Sequence, residues 1–174
     1  MKDIKLLAIL FLCVILNCCA GSNVTSVRGL IPPGITIALA PSGGVLADAI
    51  GIELFNRGYT VIDINQMSNL MVRYDLTEIE ISKPNSLQTL KKAGIAAVLT
   101  VKSVAGPDNK PQSASVRLNE TENWEIIAGL SWQNGWGGKA GSIADRSMRK
   151  DIAGAAREIA LALTSKPKDN PWKY

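Results

Sequence analysis

Between Ile35 and Ile64 the apolar pattern changes period twice, and few folds accommodate that. Ile35 to Ala40, ITIALA, is a short apolar run rich in β-branched residues and predicts a buried strand. Pro41-Ser42-Gly43-Gly44 turns the chain. Val45 to Arg57 then carries Leu46, Ala49, Ile50 and Leu54 at helical spacing, with Asp48, Glu53 and Arg57 interspersed, and Gly58 ends it. Tyr59 to Ile64, YTVIDI, predicts a second strand. A strand, a helix and a strand in this order pair naturally as parallel neighbours joined by a right-handed crossover. The remainder has to be built around that unit.

Asn65 to Arg73 predicts a short helix with Met67, Leu70 and Met71 facing inward, and Leu76 to Ile81 reads equally as a short strand or an irregular link. Ser86 to Ala93 predicts another helix, with Ser86 as its cap, Leu87 and Leu90 inward and Gly94 as its stop. Ile95 to Val104 is a third main strand, and Gly106 to Gln112 a polar loop. Ser113 to Leu118 and Trp124 to Trp132 alternate apolar with polar, as the strands of a half-exposed antiparallel hairpin do. Asn134 to Ser142 holds four glycines in nine residues and predicts a loop. Asp145 to Thr164 predicts the longest helix, its stripe formed by Met148, Ile152, Ala155, Ile159 and Ala162 or Leu163. The expected class is α/β: a single two-layer or three-layer domain over residues 35–165. Its mixed sheet has a parallel start and an antiparallel C-terminal hairpin, and a long C-terminal helix closes it, with a mobile tail at 166–174.

The first residues, MKDIKLLAILFLCVILNCC, have a cationic start at Lys2 and Lys5 and an apolar run to Leu16 that is short for a bilayer span. Ile15-Leu16-Asn17-Cys18 resembles a bacterial lipobox, and Leu16-Asn17-Cys18-Cys19 resembles it in the next register. The resemblance implies a lipoprotein signal peptide over 1–17 and a lipidated cysteine, Cys18 or Cys19, carrying diacylglyceryl and N-acyl (palmitate-type) chains that hold the protein on a membrane. More than one chain is what makes such anchoring stable. Neither register puts Asp second after the cysteine, which in such lipoproteins implies the outer membrane. Residues 18–34 then read as lipid anchor and flexible tether, with Pro32-Pro33-Gly34 as a stiff end.

Composition narrows the chemistry. The 174 residues contain no histidine, so the commonest general base and metal ligand are missing. All three cysteines, Cys13, Cys18 and Cys19, lie in the leader or at its end, which leaves the folded part without disulfide or thiol ligand. A net charge of +4 on 19 basic and 15 acidic residues is mild and scattered, unlike the concentrated stripe of a nucleic-acid binder. Ala40-Pro41-Ser42-Gly43-Gly44 imitates a nucleophile elbow, with Lys91, Lys92, Lys102 or Lys139 as conceivable partners, but a helix cap explains Ser42 more simply. Glu78 and Glu80, and Glu120, Glu122 and Glu125, are too thinly spread to announce an acid–base pair or a calcium loop. The expectation is no enzyme, no cofactor and no metal. Trp124, Trp132 and Trp136 cluster about the last hairpin and the glycine loop. Trp124 and Trp132 are expected to pack against the sheet or the closing helix; Trp136 and Trp132 are the candidate interaction residues, since large aromatics are favoured at interfaces. The tail adds Trp172.

Over Ile35 to Thr164 the order of elements resembles the α/β domain shared by the curli-secretion lipoprotein, the lipoprotein activators of penicillin-binding proteins and the N-terminal domain of the Tol–Pal propeller protein. The resemblance rests on a strand ending Val61-Ile62-Asp63, the segment Gly94-Ile95-Ala96-Ala97-Val98-Leu99, and the strand Ala114-Ser115-Val116-Arg117-Leu118. Here Ile64 follows Asp63 where the family often has Arg, and Ala96 stands where it often has Asp. The resemblance implies an outer-membrane lipoprotein facing the periplasm, an accessory or interaction module of envelope assembly, secretion or peptidoglycan synthesis with an envelope protein as partner. The alternatives are a subunit of a curli-like export pore and an envelope hydrolase.

Overall fold

A computed structural model describes residues 23–106, 108–135, 142 and 149–165. Among them are six strands: β1 (Asn23–Arg28), β2 (Thr36–Leu39), β3 (Thr60–Ile62), β4 (Ala97–Ala105), β5 (Pro111–Glu120) and β6 (Ile126–Gln133). Four α-helices join them: α1 (Gly44–Phe55), α2 (Ile64–Arg73), α3 (Pro84–Lys92) and α4 (Ile152–Thr164). One mixed sheet runs β1-β6-β5-β4-β2-β3. β2 is parallel to both β3 and β4, while β4, β5, β6 and β1 are successively antiparallel. The α/β class and the mixed sheet are thus as the sequence pattern predicts.

The layer count differs along the sheet. On one face α1 and α4 cover the sheet, burying Ile37, Leu39, Leu99, Val116, Leu118, Leu130 and Trp132 with Ile50, Leu54, Ile159 and Leu163. On the other face α2 and α3 cover only the β2–β4 side, where Ala38, Ala40 and Val98 meet Met67, Met71 and Leu90. Among the described residues there are therefore three layers over the parallel half and two over the antiparallel half. Gly51 lets α1 sit close: a Cβ there would come within 2.6 Å of Leu39 Cδ1.

Several local expectations are corrected. Residues 23–28, read as part of a flexible tether, pair with β6. Val24 and Val27 pack against the main core, and beyond the strand Ile31 is buried, its N–H donating to Leu163 O (2.9 Å) and its carbonyl accepting from the Tyr59 hydroxyl (3.2 Å). Composition suggested flexibility, but the unpaired edge of β6 offers a full ladder of backbone partners. Ser42 is not a side-chain cap: it sits in a 3-10 turn, Pro41–Gly43, and Gly43 precedes α1. Ser86 is not a cap either, because Pro84 opens α3 with its preset φ and leaves Ser86 buried in the first turn. The residues before Ile152 are not helical back to Arg149; Asp151 ends the approach by accepting from Gly154 N (2.8 Å) as N-cap of α4. The rest of the predicted start of that helix, with Met148, lies outside the described residues. Leu76 to Ile81 forms turns, the irregular link of the two readings its sequence allows. Asp63 caps α2 through Gln66 N (2.7 Å), which sequence reading had placed in a strand.

Candidate functional site

The lipidation candidates Cys18 and Cys19, and the interaction candidate Trp136, lie outside the described residues. Trp132, the other interaction candidate, is corrected: it is fully buried. Ala128, Leu130 and Trp132 alternate onto the face that α4 crosses, and the indole Nε1–H donates to Glu158 Oε2 at 2.9 Å. Glu158 in turn meets Lys150 Nζ, so the one polar atom of the indole ends in a charged pair rather than in solvent. Trp124 is half-buried against the smaller core, at a turn with φ of 65°.

Where the chain leaves β2, the turn Pro41–Gly43 and the outer end of β4 frame a cleft of about 600 Å³ lined by Ser42, Gly43, Gly44, Lys102, Ser103 and Asn109. Here the turn is already engaged: Glu78 accepts from the Ser42 hydroxyl and from Ser42 N (3.2 Å). Of the other residues named from the sequence, Lys102 lines the same cleft, Lys91 pairs with Glu122, and Lys139 lies outside the described residues. Glu80 points instead to its own linker, where the hydrogen bond from Lys83 and then that from Thr77 hold its carboxyl below its ordinary value. Glu78 and Glu80 thus serve different partners. Among the described residues no group of three or more His, Cys, Asp or Glu is placed to hold a metal ion.

The face of the antiparallel half that no described helix covers is the third feature. Its residues pair in cross-strand rows. Val104, Ser113, Gln133 and Asn23 align in the first, and Lys102, Ser115, Ser131 and Thr25 in the second. Thr100, Arg117, Gly129 and Arg28 align in the third. Arg28 owes its place to a bulge. Between Thr25 and Arg28, β1 carries one residue more than β6 carries between Ser131 and Gly129. The extra residue turns Val27 toward the core and Arg28 to the open face. Gly29 follows at φ of 71°, and a Cβ there would lie 2.0 Å from Ile127 O, so only glycine closes the strand against β6 this tightly. A groove of about 530 Å³ lies over these rows, lined by Arg28, Ser115, Arg117, Ile126, Gly129 and Ser131. Sequence reading missed Arg28, because no residue in the segment announces the bulge that re-aims it.

No protein-family model and no curated protein matches this chain. Among solved structures it is similar to the PelC dodecamer from Paraburkholderia phytofirmans, with a TM-score of 0.46 and 12% identity over 84% of this chain and 99% of that chain. It is also similar to the lipoprotein GNA1162 from Neisseria meningitidis, at 0.45 and 19% identity over 74% of this chain and 99% of that one. The LpoB C-terminal domain from Escherichia coli matches at 0.38 and 19% identity over 57% of this chain and 82% of that domain. These are distant likenesses, and neither partner nor activity passes from them to this chain.

Proposed function

We propose that this protein is a lipid-anchored outer-membrane lipoprotein, facing the periplasm, that acts as a non-enzymatic interaction module of the cell envelope. The observation that carries the reading is the uncovered polar face of β4, β5, β6 and β1 beside a rigid, well-packed core. A sheet face that no described helix covers, lined by hydroxyls and cations, is a surface to be met by another molecule rather than a site that encloses a substrate.

Anchor and domain are closely coupled in this reading. β1 begins at Asn23, at most five residues after the lipidated cysteine. Five extended residues span at most about 18 Å. The anchor therefore holds the domain close to the lipid, by the end of the sheet where β1 starts. The export-pore alternative is less well supported: β4 and β5, at 9 and 10 residues, have the length of spanning strands, but one of their faces is packed under α1 and α4.

Mass spectrometry of the mature N-terminus tests the anchor. A diacylated or triacylated peptide starting at Cys18 or Cys19 is the expected result, and an unmodified N-terminus in a soluble fraction would overturn the placement. Crosslinking in intact envelopes tests the role. Reproducible protein adducts are expected, and their absence from every surface position would remove the interaction reading.

A further inference from the structure

The third cross-strand row holds two arginines with a glycine between them. Arg117 and Arg28 flank Gly129 on neighbouring strands and lie on the same face. One strand spacing on each side puts their Cα atoms roughly 10 Å apart. Gly129 keeps the floor between them clear, and it has little choice: a Cβ there would approach Val116 O at 3.0 Å. Ser115 and Ser131 stand in the next row as hydroxyl donors, and Ile126, 54% exposed, forms an apolar wall. The three rows contain no carboxylate, and no ion pair joins either arginine to an acidic side chain among the described residues.

We propose that this face is a docking site for an acidic segment of a protein partner, one carboxylate of which seats between Arg28 and Arg117 above Gly129. The proposal rests on the interaction-module reading above and gives it a surface and a partner chemistry. Two guanidinium forks facing one gap fit a planar carboxylate, which each can hold through paired N–H donors. Ser115 and Ser131 are placed to donate to the remaining acceptors, backbone carbonyls included. Lys102, in the hydroxyl row, extends the positive potential along the face. A lipid headgroup is the less suitable occupant. The anchor enters at Asn23, and Arg28 lies five residues further along β1, about 16 Å down the strand from that end. The arginine row is thus set back from the lipid that holds the domain.

The test uses the full chain purified in detergent and a fluorescein-labelled hexaglutamate peptide, followed by anisotropy at low salt. Saturable binding is expected, weakened at least tenfold by Arg28→Ala with Arg117→Ala, and weakened less when both are replaced by Lys, which keeps charge but not the fork. Both arginines are exposed, so the double variant should keep the wild-type thermal midpoint. Equal binding by the double alanine variant, or no saturable binding by the wild type, would overturn the proposal. So would arginine-dependent co-sedimentation with phosphatidylglycerol vesicles in the absence of peptide binding. A photo-crosslinker at Ser131 in cells separates the two levels of the argument. Protein adducts that vanish in the Arg28→Ala, Arg117→Ala variant support the site. Adducts that persist there sink the arginine site and leave the interaction module standing, and adducts from no surface position sink both.

Discussion

The two halves of one sheet follow different rules. On the β3-β2-β4 side helices cover both faces of β2 and of the start of β4, and the run there is apolar: Ile37 and Leu39 point to one core, Ala38 and Ala40 to the other. On the β5-β6-β1 side the described helices cover one face, and the strands alternate, Val116 and Leu118 inward with Ser115 and Arg117 outward. Parallel strands joined by crossover helices are buried on both faces, whereas antiparallel hairpins can leave one face wet. Helix placement thus decides which residues are free to bind. Asn119 and Thr121 mark the boundary: both are buried, but Thr121 Oγ1 donates to Ile95 O (2.8 Å) and Asn119 Nδ2 to Trp124 O (3.2 Å). Their hydrogen bonds make burial tolerable where the covering helices end.

The contrast is most easily broken by one substitution made on the same face in both halves. Val98→Asp places an unpaired charge beneath α2 and α3 and should cost more than about 3 kcal/mol, enough to prevent cooperative folding. Ser131→Asp, on the uncovered stretch of that face, should stay within about 0.5 kcal/mol of wild type in urea denaturation. Similar losses at the two positions would mean that the face is covered throughout.

Smaller effects sharpen the picture. Trp132→Phe keeps most of the core volume but removes the donor to Glu158, and a loss of about 1–3 kcal/mol is expected, measured by chemical denaturation. On the other side of the sheet, Asp63→Ala removes the cap of α2; Asp151→Ala does the same for α4. Each should cost about 1 kcal/mol, visible as a lower thermal midpoint with the fold intact by circular dichroism. The smallest expected effect concerns pH. The Glu80 carboxyl is lowered in the folded protein from a value of 4.5, so its contribution is present above that value and is lost as pH falls through the lowered one. Replacement by Gln should flatten that part of the acid stability curve, and an NMR titration of the Glu80 carboxyl should give a midpoint below 4.5.

Much of the parallel half was legible in the chain itself. Continuous apolar runs with helical spacing between them admit few arrangements, and glycines at 58 and 94, both at positive φ, mark the helix ends where expected. The antiparallel half was legible in its alternation but not in its borders. Asn23 to Arg28 reads as linker because Asn, Ser and Thr suit loops and edge strands alike, and only the waiting edge of β6 selects the strand. Trp132 reads both as a core residue and as an interaction candidate, because an aromatic at the end of a hairpin suits either until α4 is laid across it. Ser42 looked like a cap because nothing local reveals that Glu78, 36 residues away, takes its hydroxyl and its N–H.

By itself the sequence determined what depends on local spacing and residue type: the strand–helix–strand unit, the class of fold, and the absence of histidine and of cysteine beyond residue 19. Tertiary structure alone decided which strand closes the free edge, which face stays uncovered, and where the arginines stand. The physical reason is that periodicity shows that a side chain alternates but not what lies opposite it. A single extra residue in β1 reverses the direction of everything after it, and only the register against β6 reveals that residue.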